Sequence, residues 1–334
     1  ILQRKKSIVK MRNIFTFPAR NLRFVIPVVI LAALVLGLII DTSVLKQFIL
    51  PVAMATVFPA MIGFRAGELL CLRDLRLLFV NLVCNFVILP ILALLIGWLL
   101  LSRWPELRIG LLLLSVIPGG NMVVAFTMLF DGNVPASLKL SVTNLLLGTL
   151  LAPVYLYLLA GRFVAIDIFH IGKTMGLVVI VPLCMGVITY KLLLKRYTPE
   201  QFKKEIKPLL PSASAWGLIY LVFTSISMKA STFFSYPALV GQSLLSLFLW
   251  YAGIFAVCVG LGRLLFKRRD GITLLLNVSL RNLPIAIGIA VTAFGSQTAV
   301  IVALAFLFQQ QLVLWFDELD KKYHWLGEDD QAGS

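Results

Sequence analysis

The chain has 334 residues, 60% of them apolar and 13% charged, with a mean hydropathy of +0.97. That composition excludes a soluble globular domain and fits a polytopic helical membrane protein. The formal charge of +15 does not indicate nucleic acid, because the basic residues punctuate apolar runs and form no basic face interleaved with aromatics.

Residues 1–23 form a basic segment with Arg4, Lys5, Lys6, Lys10, Arg12, Arg20 and Arg23 and no acid. It lacks a short apolar core ending in small residues, so no cleavable leader is expected within it. Apolar runs follow at about 24–40, 43–63, 76–101, 106–130, 135–160, 171–194, 210–230, 236–266, 271–294 and 296–317. Each is read as a helix crossing a bilayer, which takes about 20 residues. The fold class is therefore an all-α polytopic membrane protein with ten transmembrane helices. Asp131-Gly-Asn-Val-Pro135 reads as a turn and Gly295-Ser296 as a break. In the polar joint Lys195–Lys207, Pro199-Glu200 is expected to start a short surface helix. Residues 318–334 form a C-terminal tail. Cys71, Cys84, Cys184 and Cys258 lie in or beside apolar runs with no metal-like spacing and read as small buried hydrophobes.

Charge sets the orientation. With ten crossings both termini share a side, and most of the 30 Lys and Arg fall in joints on that side. The other side holds Lys46, Arg103, Arg108, Arg162, Lys173 and Lys229. The positive-inside rule puts both termini in the cytoplasm, in a cell (inner) membrane.

The fourth crossing is interrupted by Pro118-Gly119-Gly120-Asn121 and the ninth by Arg281-Asn282-Leu283-Pro284, with Pro118 and Pro284 as the helix-breaking residues. The breaks lie five crossings apart. Ten crossings split into five (residues 24–160) and five (161–317), and an odd number per half makes the halves inverted repeats. Interrupted helices at matching places in inverted halves point to a transporter binding site near the midplane. The plainer alternative is two ordinary kinks, since Pro and Gly are common in membrane helices.

Ser115-Val-Ile-Pro118-Gly119-Gly120, Phe130-Asp-Gly132-Asn-Val, Ser137 and Ala152-Pro153 together resemble the bile acid:sodium symporter family, within a superfamily shared with arsenite-efflux permeases. Arg281-Asn282 followed by Ile285 to Gly295 is similar to the same superfamily. The resemblance implies a panel domain (crossings 1, 2, 6, 7) and a core domain (3–5, 8–10), two broken helices crossing within the core, and transport by alternating access. Departures are visible. Sodium-coupled members carry a Ser-Asn pair where this chain has Val123 and Val124, a Glu at the place of Asn277 and a Gln at the place of Arg281. Ser137 and Ser141 remain as candidate ion-binding residues, with Asn277. These replacements speak against sodium coupling; a facilitator, an exchanger or a weak sodium site built on carbonyls stays open. The arsenite branch carries a Cys at the place of Gly119 and a Glu at that of Pro284, so its soft ligand is missing too.

Arg281 keeps its proton and needs acceptors or a counter-charge. It either donates to carbonyls freed by the breaks or faces an anionic solute, and the two roles are compatible. The helix N-termini at the breaks add positive potential there. Asn121, Asn277, Asn282, Gly119, Gly120, Gln310 and Asn144 complete the candidate substrate site. Of Gln309, Gln310 and Gln311, at about 100° per residue, at least one should point into the core. Thr143 and Asn144 read as interhelical glue, Lys139 as a snorkelling residue near a helix end, and His324 as solvent-exposed.

The function these features imply is a secondary transporter of a small organic anion. The alternatives are an arsenite-type efflux permease and a transporter-like sensor. An enzyme is not expected, because the two histidines lie outside the apolar centres and no metal or nucleophile constellation is visible. No cofactor is expected, and the partners are the solute and membrane lipid, with no nucleic acid.

Overall fold

The computed structural model describes residues 13–19, 21–62, 74–117, 119, 122–160 and 168–327. All regular structure among them is helical. Lipid offers no hydrogen-bond partners, so an apolar run satisfies its own backbone by coiling. The helices used below are α1 (Leu22–Ile39), α2 (Ile49–Met61, entered through a 3₁₀ turn Ser43–Phe48), α3 (Leu75–Leu100), α4 (Pro105–Val116), α5 (Met122–Leu129) and α6 (Val134–Ala160). They continue with α7 (Gly172–Leu193), α8 (Leu210–Ser227), α9 (Pro237–Leu265), α10 (Arg268–Ser279), α11 (Leu283–Ile289, running on as a π turn to Phe294) and α12 (Ser296–Tyr323).

Seven spans among the described residues are long and apolar enough to cross a membrane, or eight if Asn13–Ala19 and Phe24–Ile39, bent by 88°, count as one. The protein is an all-helical multi-pass membrane protein. The run at 43–63 yields a shorter apolar helix, and the run at 106–130 is divided between α4 and α5. Boundary chemistry matches the residues that mark it. Thr198 caps Pro199–Gln201 with a reciprocal Thr–Gln capping box. Gly295 takes φ +97° between the π turn and α12, and Asp131 takes φ +56° at its turn.

The helices pack in two groups. α8 lies against α1 and α2, and α7 against α2. α9 lies against α3, α10 and α12; α4 against α3, α6 and α12; and α10 against α3, α5 and α6. The groups meet where α11 touches α2 and α8, where α12 touches α1 and α8, and where α6 touches the segment Ile168–Met175 that leads into α7. The α10–α11 span is the most enclosed of the candidate crossings.

Some expectations change. Cys84 and Cys258 are buried, but Cys184 is exposed on the surface of α7. Lys139, expected to snorkel, is buried. His324 is exposed as expected, and α12 continues beyond residue 317 to Tyr323. Cys71 lies outside the described residues.

Candidate functional site

The ninth apolar run breaks in three residues. α10 ends at Ser279, and Leu280 is extended at φ −83°, ψ 108°. Asn282 then caps α11, its side-chain oxygen accepting from the Ile285 N–H at 3.4 Å. Pro284 sits in the first turn of α11, where its missing N–H would have been unpaired anyway. It starts the second half-helix, and the break itself is Leu280-Arg281-Asn282. The fourth run stops at Val116 and resumes at Met122. Pro118, Gly120 and Asn121 lie outside the described residues, and so does the side chain of Gln310.

The two breaks touch. A β-carbon on Gly119 would stand 2.5 Å from the Leu280 carbonyl oxygen and 2.7 Å from a Val123 methyl. Only glycine lets these backbones approach so closely. Arg281 joins the breaks from the side-chain direction. It is 3% exposed. One terminal nitrogen donates to the Ile117 carbonyl at 3.2 Å. The other donates to Asn85 Oδ1 at 2.5 Å and to the Val278 carbonyl, three residues back in α10. Arg281 therefore performs the first of its two expected roles, donating to carbonyls left free by both breaks. Every one of these partners is neutral, and its Nε–H has no partner. Among the described residues the buried acid is Asp320, which pairs with Arg268.

The backbone of Arg281 is held from α12. Its N–H donates to Gln309 Oε1 at 2.8 Å, and Gln309 Nε2 donates back to its carbonyl at 3.1 Å. The buried Tyr251 hydroxyl also donates to Gln309 Oε1, at 3.2 Å. Gln309 thus points inward, as at least one member of the glutamine triplet was expected to.

Two residues that the sequence reading did not single out complete this network. Asn85 Nδ2 donates to the Asn81 carbonyl at 2.9 Å and to Asn81 Oδ1 at 3.1 Å. Asn81 Nδ2 donates to Asn144 Oδ1 at 2.8 Å. A ladder runs from Arg281 through Asn85 and Asn81 to Asn144 on α6, ending in an Asn144 Nδ2 without a partner. The signal was present as two asparagines, i and i+4, within an apolar run. Around Asn85, residues Cys84–Ile88 form a π turn, a distortion common at functional sites. It turns the Phe86 carbonyl to the Tyr155 hydroxyl, which donates to it.

The candidate ion-binding residues also come together, but they bind one another. Asn277 Nδ2 donates to Ser137 Oγ at 3.0 Å and to the Thr273 carbonyl at 2.9 Å. Ser141 Oγ donates to Asn277 Oδ1 at 3.1 Å. The Ser137 and Thr127 hydroxyls share a hydrogen bond at 2.9 Å. The amide N–H groups of Asn277 occupy oxygens that a cation would need, and Val123 beside them is fully buried and offers no ligand. Asn277, Ser137 and Ser141 are buried; Val124 and Asn282 are half-buried.

Residues 48–235 match the Sodium Bile acid symporter family. The chain is 27% identical to the uncharacterized protein YbaS of Bacillus subtilis, over 69% of this chain and 74% of that one. It is 23% identical to the arsenical-resistance protein Acr3 of Corynebacterium glutamicum, over 82% and 81%. It is also 28% identical to the sodium-dependent organic anion transporter of Bos taurus, over 45% and 38%. The matched stretch includes the first break, Asn81, Asn85 and the Ser137–Asn144 stripe, and covers more than half of the chain. By that match the chain belongs to the Sodium Bile acid symporter family, whose members are secondary transporters and not enzymes.

Proposed function

We propose that this protein moves a small organic anion by alternating access, with the solute bound where the two broken helices meet, and without sodium coupling. The observation that carries this reading is Arg281. It is a buried cation whose partners are all neutral, with an unspent Nε–H. A buried charge without a counter-ion is costly, and an anion arriving beside it supplies one. The orphan Asn144 Nδ2 is likewise a donor, so an acceptor-rich ligand suits both. Gly119, Asn277 and Asn282 frame the same region in this reading, and Gly120, Asn121 and Gln310 are proposed with them from the sequence alone.

The wider architecture proposed with it is ten crossings in two inverted five-helix repeats, residues 24–160 and 161–317. α1, α2, α7 and α8 form the panel and α3–α6 with α9–α12 form the core. The separate packing of these groups supports the division. The lysine and arginine distribution supports a cytoplasmic side for both ends of the chain. A second reading, an arsenite-type permease, draws on the likeness to the arsenical-resistance protein over most of both chains. Gly119 at the place of that branch's cysteine weighs against it.

The test is thermal stability of the purified protein against small organic anions and against arsenite, in sodium and in choline buffer. A ligand at a hundredfold excess over its Kd adds about 2.7 kcal/mol. Stabilisation by an organic anion in both buffers is expected. Stabilisation only in sodium would overturn the uncoupled mechanism, and stabilisation by arsenite alone would favour the second reading.

A further inference from the structure

Ahead of the first crossing, Asn13–Ala19 form a short helix turned 88° from Phe24–Ile39. α1 has 18 residues, and at 1.5 Å per residue it reaches about 27 Å, close to the hydrocarbon thickness, without help. The short helix is therefore not needed for the crossing, and lying square to α1 it runs along the membrane surface. Its Phe15 carbonyl accepts the indole N–H of Trp216, in the second turn of α8, at 3.1 Å. Its Phe17 carbonyl accepts from Asn21 Nδ2 at 3.0 Å. Gly37, near the far end of α1, packs on the Ser227 backbone at the far end of α8. α1 and α8 therefore run side by side in the same direction, and the short helix lies at the end where both begin.

The faces of this helix are unequal. Thr16 is buried. Ile14 and Phe17, toward the opposite side at about 100° per residue, are 59% and 57% exposed, and Phe15 is exposed beside them. Large apolar side chains on a surface-lying helix fit the boundary between headgroups and acyl chains. The charges in sequence around them have one sign. Lys10 and Arg12 precede the helix, Arg20 and Arg23 follow it, and residues 1–23 contain no acid. At the same end of the bundle the joint leading into α8 exposes Lys195, Arg196, Lys204 and Lys207 against Glu200 and Glu205. Trp216, exposed and bonded through its N–H, stands where amphipathic rings gather, at headgroup level.

We infer that Asn13–Ala19 is an in-plane anchor whose partner is an anionic phospholipid surface, with Ile14, Phe15 and Phe17 set among the lipids and the basic residues on either side of the helix selecting the charged headgroups. The partner follows from two complementarities. The exposed side chains are apolar, which suits the acyl boundary, and the flanking charge is purely positive, which suits phosphatidylglycerol or phosphatidylserine over a zwitterionic lipid. Through Trp216 and α1 the anchor ties one end of the α1–α2–α7–α8 group to the leaflet. The inference requires only that the chain sits in a membrane, and stands apart from the transport reading.

The experiment places an environment-sensitive fluorophore on Asn13→Cys in the full chain, with Cys71→Ser and Cys184→Ser to remove competing thiols, in nanodiscs of phosphatidylcholine and phosphatidylglycerol. One lipid or the other carries a spin label near its headgroup. Spin-labelled phosphatidylglycerol should quench more strongly, with a local enrichment of about fivefold, the factor that one basic residue contributes near an anionic surface. The same fluorophore on Val44→Cys, exposed beyond the other end of α1, should show no preference. Replacing Lys10, Arg12, Arg20 and Arg23 by Gln should equalise the two lipids at position 13. Replacing Ile14, Phe15 and Phe17 by Ser should weaken quenching by both. Equal quenching by the two lipids in the chain without these replacements overturns the anionic partner. Quenching by aqueous iodide but by neither lipid overturns the in-plane anchor. Both of those outcomes are read without the Gln and Ser variants, so a variant that fails to fold leaves the decision intact.

Discussion

Arg281 and Asn85 lie 196 positions apart in sequence and meet at 2.5 Å between Nη2 and Oδ1. This contact ties α3 to the break between α10 and α11. Asn85→Ala removes an acceptor from a buried cation and a donor from Asn81. The expected loss is about 1–3 kcal/mol of stability, the usual cost of leaving buried polar groups unpaired. Asn85→Asp has the opposite electrostatic sense, because it sets a carboxylate beside the guanidinium. The protein should stay folded and lose its anion-dependent rise in melting temperature. An undiminished rise in Asn85→Asp would show that the charge of Arg281 does not reach the ligand.

Arg281→Ala removes three donors from the junction at once. Ile117, Val278 and Asn85 keep acceptors with nothing to receive, so stability should fall by at least about 1–3 kcal/mol. Binding of an anionic ligand should weaken more than binding of a neutral analogue of the same shape. Titration calorimetry on the pair separates the two losses; equal losses would leave Arg281 a structural fastener only.

Gly119→Ala tests the contact between the breaks without touching any charge. The new β-carbon would overlap the Leu280 carbonyl oxygen, which is backbone and cannot rotate away. The two half-helix pairs must separate, at a cost of about 1–3 kcal/mol or more. Gly97→Ala, whose β-carbon meets only ordinary contacts, is the matched control and should melt with the wild type.

How much of this was legible in the sequence depends on the range of the interaction. The apolar runs became helices because lipid leaves the backbone no other partner, and Pro, Gly and Arg inside them announced both breaks. Ser137, Ser141 and Asn277 could be gathered into one cluster from the resemblance alone. The Asn81–Asn85–Arg281 ladder could not, since it depends on which faces of α3 and α10 meet, and a π turn at Cys84–Ile88 shifts the helical phase there. Three consecutive glutamines cover most faces of α12, so sequence could say that at least one points inward but not that Gln309 does. Pro284 announced the break but stands at the start of the second half-helix, because proline breaks a helix and starts one with equal ease.

At the other end of α10, Asp320 on α12 is 2% exposed. It accepts from Arg268 at 2.9 Å and from the Leu326 N–H at 2.9 Å. Leu326 in turn packs against Gly262 and Gly271. Asp320→Ala takes the carboxylate away from Arg268 and from the Leu326 N–H and should cost about 1–3 kcal/mol, the usual cost of unpairing buried polar groups. Asp320→Asn, which retains an acceptor for Leu326, should cost less. Thermal melts of the two variants give the order; the reverse order would mean that the pair contributes nothing.

Asn277 is where the absence of sodium coupling can be tested. Sodium needs several oxygen ligands around one point, and here the oxygens of Ser137 and Thr273 face the amide N–H groups of Asn277 at 3.0 and 2.9 Å. A cation entering this cluster would have to displace a bonded donor and would meet Val123 where another ligand is needed. The wild-type protein should therefore melt at the same temperature in sodium and in choline at equal ionic strength. Asn277→Ala should lose about 1–3 kcal/mol, since Ser137 and Ser141 each lose a partner, and should remain indifferent to sodium because two hydroxyls do not make a shell. A sodium-dependent rise in the wild type would show that the cluster opens to an ion. The same rise in Asn277→Ala but not in the wild type would show that the asparagine amide is what keeps sodium out.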